Sequence, residues 1–189
     1  MTSGIELLKE QLRNAKIVIK GNYRYIVNPI CEQEPPLDPT IIDDCANKLI
    51  EKLNFKEANK ILTAESMGIP IATAISMKTG IPLIIATKRE KRTVQEHTFT
   101  YTTGYDEGNL HVNCVEPDDK ILLIDDLIST GGTLKCLIEG LEKIGAKIVD
   151  VGVIFNKPDY GGYESIKKMG YEPKYLFDVR LNGIKVEIS

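Results

Sequence analysis

The sequence contains few residues that bind metal ions or form cross-links, and it has no long apolar run. Its two histidines and four cysteines lack the paired spacings of a zinc site or a disulfide framework, so neither is expected. Unpaired cysteines are typical of a reducing compartment, and we therefore expect a cytoplasmic protein. No apolar run approaches the length of a membrane span and the N-terminus has no apolar signal region, which predicts a soluble, unprocessed protein.

The sequence also has little net charge. The formal charge is −3 over 189 residues, and it is spread along the chain without a basic surface or an acidic tail. This pattern argues against nucleic-acid binding and means that any phosphate site has to be local. The length suits one substantial core and is short for two domains of usual size. We therefore expect a single domain that spans residues 1–189 and binds neither nucleic acid nor a membrane.

The most informative pattern lies in residues 120–133. The apolar run 121–124 is typical of a strand that is buried on both faces of a parallel sheet. We expect this strand to end at Asp125 and Asp126, where ligands bind in open α/β folds. Small residues with hydroxyls and unhindered backbone N–H groups follow: Ser129, Thr130, Gly131, Gly132 and Thr133. Because a helical pattern comes next, this turn can bind a phosphate group at a helix N-terminus.

This stretch has neither the lysine of the P-loop nor the glycine pattern of dinucleotide-binding proteins. It resembles the signature for phosphoribosyl pyrophosphate (PRPP) in the type I phosphoribosyltransferases: an apolar strand, two acids, two apolar residues and a Thr-Gly-Gly-Thr turn. Asp125 and Asp126 can accept hydrogen bonds from the ribose hydroxyls, and the turn 129–133 can surround the 5′-phosphate. A solvated Asp-Asp turn before an ordinary capped helix is the alternative interpretation.

The rest of the chain alternates between strand-like and helical patterns, which predicts an α/β fold. Strands are expected at 60–64, 83–86, 110–115 and 148–155, helices at 38–53 and about 71–78, and a terminal hairpin around Asn182-Gly183. The resemblance implies the type I phosphoribosyltransferase fold, a central, mostly parallel sheet flanked by helices. It also implies a small hood from the N-terminal arm and the C-terminal hairpin, at about 17–37 and 156–189, and a core at about 38–155.

Two further segments match the part of the family site that holds pyrophosphate. A strand-turn-helix pattern has these residues at the positions of the pyrophosphate loop: Glu65, Ser66, Met67 and Gly68. A basic run follows the next strand and contains Lys88, Arg89 and Lys91. Cationic groups there can pair with a diphosphate. A plain strand-helix connection and a solvated basic surface are the alternatives. The hydroxyl-rich segment 93–104 is a candidate for the family loop that closes over the substrates and excludes water, and for the strand that returns from it.

Over nearly the whole chain the sequence resembles the archaeal hypoxanthine/guanine phosphoribosyltransferases, which are similar in layout to the adenine and xanthine enzymes. The opening helix, the Gly-Asn-Tyr arm, the Glu-Ser-Met-Gly-Ile-Pro turn, the basic run and the terminal hairpin carry this resemblance. It implies purine salvage, with transfer of the 5-phosphoribosyl group from PRPP to a purine base. It also implies a homodimer and a Mg²⁺ ion that is bound mainly through PRPP, with Asp125 and Asp126 as indirect partners.

Two positions bear on the choice of base. Asn28 and Lys157 match base-contacting residues of xanthine-type relatives. A lysine donates hydrogen bonds and accepts none, so it favours an oxo group at the purine six position and predicts hypoxanthine or guanine. Phe155 either stacks on the purine or fills the core, and we favour the core. A surface lysine at a strand end is the alternative for Lys157, and adenine and xanthine stay open as alternative bases.

The sequence does not assign a general acid or base. Ser129 stands where the better-known hypoxanthine/guanine enzymes have an acid that attends N7 of the base. Adenine enzymes use a loop carboxylate, for which Glu96 and Asp106 are candidates. Asp126 is therefore the one residue that we assign to catalysis, through positioning and charge stabilisation at the ribose. A regulator that senses PRPP without chemistry is the alternative from a different class.

Overall fold

The computed structural model describes residues 2–21, 23–93, 95–102 and 107–189. Along the chain its elements are α1 (Gly4–Arg13), β1 (Ile17–Lys20), β2 (Tyr23–Ile26), α2 (Pro39–Lys52), β3 (Lys60–Ala64), α3 (Gly68–Thr79), β4 (Leu83–Ala86), β5 (Glu96–Thr102), β6 (Glu107–Asn113), β7 (Lys120–Ile128), α4 (Gly132–Ile144), β8 (Lys147–Asn156), a 3₁₀ turn (Pro158–Tyr160), α5 (Gly162–Lys167), β9 (Lys174–Asn182) and β10 (Lys185–Ile188). None of the helices in these ranges is long and apolar enough to cross a membrane.

In the described part of the chain, the central sheet has six strands in the order β10-β9-β8-β7-β3-β4. In this sheet the neighbouring strands β9, β8, β7, β3 and β4 are parallel to one another, whereas β10 is antiparallel to β9. The hairpins β1–β2 and β5–β6 are antiparallel and form separate sheets. Parallel strands end at one common edge, so the residues that follow β3, β4, β7 and β8 come together there. The predicted α/β fold with a mostly parallel sheet is confirmed.

The two faces of the sheet explain the continuous apolar run of β7. Ile121 and Leu123 belong to one hydrophobic core, and Leu122 and Ile124 belong to the other. Helices α1, α2 and α3 cover the face of Leu122, whereas α4, α5 and the β5–β6 hairpin cover the face of Ile121. Because successive side chains point to opposite faces, a strand that is covered on both sides has to be apolar throughout.

Helix α2 shows how the local sequence sets these layers. Asp38 caps its N-terminus, since Oδ1 accepts a 2.8 Å hydrogen bond from the backbone N of Thr40. Pro39 takes the first helical position, where its missing N–H is not needed. The buried face contains Ile41, Cys45, Ala46 and Leu49. The helix predicted over 38–53 is therefore confirmed to within one residue at each end.

Strand β7 is longer than the sequence predicted. The expectation that it ends at the two acids is wrong, because Leu127 and Ile128 still pair with Phe155 and Asn156 of β8. Strand β8 is ten residues long, so it offers backbone partners to β7 beyond residue 124. The two acids therefore lie inside a strand, where the backbone is held by a neighbour.

Two other segments differ in part from expectation. The C-terminal hairpin β9–β10 extends the central sheet, because β9 pairs parallel with β8. The segment 156–189 is thus continuous with the sheet, and its separation as a hood stays a prediction. Most of segment 93–104 is strand β5, which pairs with β6. Residues 94, 103 and 104 lie outside the described residues, so closure of this segment over the site also stays a prediction.

Candidate active site

Asp125 and Asp126 lie near the carboxyl end of β7. Asp125 is 8% exposed, and its Oδ1 accepts a 2.9 Å hydrogen bond from the backbone N of Asp126. Burial and the adjacent charge of Asp126 raise the pKa of Asp125 well above its ordinary value. Two carboxyl groups are thus held next to each other near the carboxyl ends of the sheet's strands, where they can accept hydrogen bonds from two neighbouring hydroxyls.

The turn after β7 presents backbone N–H groups at the start of α4. Gly131 caps this helix with a φ of +78°, a left-handed conformation that favours glycine. A Cβ at Gly131 would also lie 3.2 Å from Gly162, whose backbone N donates a 2.9 Å hydrogen bond to Ser129 O. The first N–H groups of a helix have no acceptor within it, and the helix dipole favours an anion there. The predicted phosphate turn therefore leads into a helix N-terminus that can bind a phosphate group.

The loop between β3 and α3 lies beside the acids. Residues 65–67 line the same cavity as Asp125, and the Glu65–Ser66 peptide bond is cis. Gly68 is the first residue of α3, and a Cβ there would meet Asp125 Oδ1 at 2.6 Å and would also contact Thr63 Oγ1. Glycine at this position therefore allows the start of α3 to approach the acid pair closely.

The basic run reaches the site in part. Lys88 lines the cavity, and its backbone N donates a 2.6 Å hydrogen bond to Glu65 Oε1. Its Nζ lies 5.6 Å from the centre of the Tyr101 ring. Arg89 and Lys91 are exposed, and among the described residues they do not line the cavity. The structure thus brings one of the three predicted basic residues to the site and connects it to the loop after β3.

Lys157 is buried at the end of β8. It is 8% exposed, and its Nζ donates a 3.1 Å hydrogen bond to Tyr23 Oη. The Nζ also lies 4.8 Å from the centre of the Tyr23 ring and 5.9 Å from that of Tyr160. Burial lowers the pKa of Lys157. The alternative of a surface lysine is therefore wrong, and Lys157 is a cavity residue.

Asn28 lines the cavity, but its hydrogen-bonding groups are used inside the N-terminal arm. Its Nδ2 donates to Ile26 O at 2.7 Å and to Glu32 Oε2 at 3.0 Å. Its Oδ1 accepts from the backbone N of Ile30 at 2.9 Å and of Cys31 at 3.0 Å. A side-chain amide has two N–H donors and two acceptor lone pairs. All four are occupied, so in this structure Asn28 shapes the arm and has no group left for a base.

Glu32 was not predicted from the sequence, yet it lines the cavity together with Lys157. Its Oε2 accepts hydrogen bonds from the backbone N of Asn28 at 3.1 Å and from Nδ2 of the same residue at 3.0 Å. Glu32 is an exposed residue. Partial desolvation beside the cavity raises the pKa of its carboxyl group, whereas the backbone N–H of Asn28 and the charge of Lys157 lower it. One acid in an irregular segment gives no periodic signal. Its position four residues after Asn28, a predicted base contact, is the one feature of the sequence that points to Glu32.

The structure describes two of the three remaining candidates. Phe155 is 2% exposed and packs against Phe177 with ring centres 6.3 Å apart, so the favoured core position is confirmed, although the residue also lines the cavity. Glu96 Oε1 lies 3.6 Å from Nδ1 of His111 and is not among the described cavity residues. Asp106 lies outside the described residues. No loop carboxylate is therefore assigned to the site.

A cavity of about 250 Å³ joins these groups. Its lining includes the acid pair, the phosphate turn, the loop after β3 and the base-side residues: Asp125, Asp126, 129–133, 65–67, Tyr23, Asn28, Glu32 and Lys157. Among the described residues, no group of three or more His, Cys, Asp or Glu side chains could hold a metal ion. An ion here would take most of its ligands from phosphate oxygens and water, which Mg²⁺ commonly does. The acid pair fits such an indirect role.

Known proteins match this arrangement over most of the chain. The family model described as "Phosphoribosyl transferase domain" matches residues 38–184. The hypoxanthine/guanine phosphoribosyltransferase of Aciduliprofundum boonei is 36% identical over 184 residues, which are 97% of this chain and 99% of that protein. The enzyme of the same name from Methanohalophilus mahii is 40% identical over 184 residues, or 97% and 95% of the two chains. The chain belongs to the phosphoribosyltransferase family, among the hypoxanthine/guanine phosphoribosyltransferases.

Solved structures of adenine phosphoribosyltransferases share the fold. The Giardia lamblia enzyme complexed with 9-deazaadenine has a TM-score of 0.79 at 18% identity, and the match covers 96% of this chain and 99% of that one. The enzyme from Thermoanaerobacter pseudethanolicus has a TM-score of 0.77 at 17% identity, with 92% and 99% covered. The expected type I phosphoribosyltransferase fold is thereby confirmed. At these identities the likeness concerns the fold and does not bear on the choice of base.

Proposed function

We propose that this protein is a purine-salvage enzyme that transfers the 5-phosphoribosyl group of PRPP to hypoxanthine or guanine. The products are IMP or GMP and pyrophosphate. One observation carries the proposal: the acid pair at Asp125 and Asp126, the helix N-terminus after Gly131 and the buried Lys157 meet in one cavity. The names of relatives that are 36% and 40% identical support the same reaction.

The sugar donor binds at the acid pair. Asp125 and Asp126 accept hydrogen bonds from the ribose hydroxyls, and the N–H groups at the start of α4 bind the 5′-phosphate. Residues 65–67 and Lys88 hold the pyrophosphate. The C1′–oxygen bond to pyrophosphate breaks, a ring nitrogen of the base forms the new bond to C1′, and the proton of that nitrogen passes to the departing pyrophosphate or to water. Fixed carboxylates beside the ribose stabilise the positive charge that develops there, because they need no reorganisation during the reaction.

The base binds between the N-terminal arm and the end of β8. Lys157 Nζ is a donor in a buried site, and it suits the acceptor O6 of hypoxanthine or guanine. The exocyclic amine of adenine is a donor at the same place, so the Lys157 N–H that would bond O6 would face another donor instead of an acceptor. A site built to bond one group rejects an analogue that lacks it, because the buried polar group then loses its partner.

The remaining parts of the proposal concern the ion, the assembly and the location. Asp125 and Asp126 would be the indirect protein partners of a Mg²⁺ ion, which would neutralise part of the diphosphate charge. Chelation with EDTA should abolish activity, and added Mg²⁺ should restore it.

We also propose a homodimer, which light scattering on the purified protein tests. The four free cysteines fit a cytoplasmic location.

Product formation tests the reaction directly. The purified protein is incubated with PRPP, Mg²⁺ and one of adenine, hypoxanthine, guanine, xanthine or uracil, and nucleotides are separated by chromatography. We expect IMP and GMP, each with one equivalent of pyrophosphate. Product from adenine alone, or from xanthine alone, would contradict the choice of base. PRPP binding by calorimetry without a nucleotide from any base would instead support a PRPP-sensing regulator.

A further inference from the structure

The base side of the cavity contains a carboxylate as well as the lysine. Glu32 and Lys157 both line the cavity, and each perturbs the pKa of the other through its charge. The two hydrogen bonds that Glu32 receives from Asn28 end on Oε2, so Oε1 takes part in neither. A carboxylate acceptor and a lysine donor therefore line the same cavity, close enough for their charges to interact.

Purine bases differ in the groups that such a pair would meet. Hypoxanthine and guanine carry an acceptor at O6 next to a donor at N1–H, and guanine adds a 2-amino donor. Adenine reverses the first two, with a donor at N6 and an acceptor at N1. Xanthine keeps O6 and N1–H, but has an acceptor oxygen at position 2. A lysine beside a carboxylate thus matches guanine and hypoxanthine, and the carboxylate repels N1 of adenine and O2 of xanthine.

We propose that Glu32 is a specificity-determining residue, whose Oε1 accepts the N1–H of a 6-oxopurine, and the 2-amino group of guanine, while Lys157 donates to O6. The inference rests on the proposed function, since it assigns a second residue to the base site of the same reaction. It also gives Asn28 a role. Asn28 is a positioning residue that holds Oε2 with two hydrogen bonds, and Oε1, which takes part in neither, is the oxygen that we assign to the ligand.

Glu32→Gln tests the proposal, with Glu34→Gln as the matched control. Glu34 is, like Glu32, an exposed acid in the same segment, but it pairs with Lys16 at 3.2 Å and is not among the described cavity residues. Glutamine keeps an acceptor but loses the charge, so kcat/KM for guanine should fall about tenfold. Its amide N–H₂ can bond O2 of xanthine, so the ratio of guanine to xanthine turnover should fall further. The KM for PRPP should stay unchanged, and Glu34→Gln should match the wild type.

The outcomes separate this inference from the proposed function. Absence of IMP and GMP with the wild-type protein would refute the proposed function itself. An active wild type together with an unchanged guanine-to-xanthine ratio in folded Glu32→Gln would overturn the role of Glu32 alone. A second measurement needs no variant: 1-methylhypoxanthine cannot donate from N1, so wild-type protein should bind it about tenfold more weakly than hypoxanthine. Equal affinities would also overturn the proposal.

Discussion

Replacement of Lys157 by methionine is the sharpest test of how the base is chosen. Methionine keeps an unbranched apolar side chain in the space of the lysine stem but removes the donor. A hydrogen bond from a charged group contributes about 1.5–3 kcal/mol, so kcat/KM for hypoxanthine and guanine should fall roughly 10- to 150-fold. The KM for PRPP should change less than kcat/KM for the base, because Lys157 belongs to neither the acid pair nor the phosphate turn and acts on Asp126 through its charge alone.

The control for this variant is Lys167→Met. Lys167 also lies over a tyrosine ring, with Nζ 6.0 Å from the centre of Tyr163, but it is exposed and not among the described cavity residues. Initial rates with hypoxanthine, guanine and adenine at saturating PRPP are compared for both variants. If kcat/KM for hypoxanthine in Lys157→Met equals that in Lys167→Met, Lys157 does not contact O6 and the reasoning is refuted.

Three further perturbations address the donor site and the buried lysine. Asp126→Asn removes one ribose carboxylate, so kcat/KM for PRPP should fall roughly 10- to 100-fold in steady-state assays. Gly68→Ala introduces a methyl group 2.6 Å from Asp125 Oδ1, so the Tm and the PRPP affinity measured by calorimetry should both fall. Burial lowers the pKa of Lys157 below 10.5, so the folded protein releases this proton before the unfolded chain does. The wild type should therefore gain stability relative to Lys157→Met as pH rises from neutral toward 10.5, as measured by urea unfolding.

Each of these predictions has a result that contradicts it. Near-normal PRPP kinetics in Asp126→Asn would argue against the ribose role of the acid pair. An unchanged Tm and PRPP affinity in Gly68→Ala would mean that α3 can move away from Asp125 without loss. A stability difference between the wild type and Lys157→Met that stays constant with pH would show that the lysine titrates as an exposed group does.

The donor side of the site was predictable because its residues are contiguous in sequence. The acids and the turn 129–133 follow one buried strand, and local rules for strands, glycine turns and helix N-termini are enough to relate them. The end of β7 was not predictable, because it depends on the length of β8, its neighbour in the sheet. The sequence of one strand does not show how long the neighbouring strand is.

The base side was less accessible from sequence because it is assembled from distant segments. Lys157 contacts Tyr23 across 134 positions, and burial of the lysine follows from that contact. The resemblance indicated Asn28 as a base contact, yet its amide is fully bonded within the arm, and Glu32 emerges beside it. Residue type alone does not show whether the hydrogen-bonding groups of an amide are already used. It also does not show whether an acid in an irregular segment lines a cavity.

In the proposed function, one cavity holds the phosphoribosyl group at the acid pair and a 6-oxopurine at Lys157. A crystal structure of the protein with IMP bound would show both positions at once. We predict the 5′-phosphate on the turn 129–133, the ribose hydroxyls on Asp125 and Asp126, and O6 within hydrogen-bonding distance of Lys157 Nζ. A nucleotide whose base lies away from Lys157, or whose phosphate lies away from the start of α4, would contradict the account.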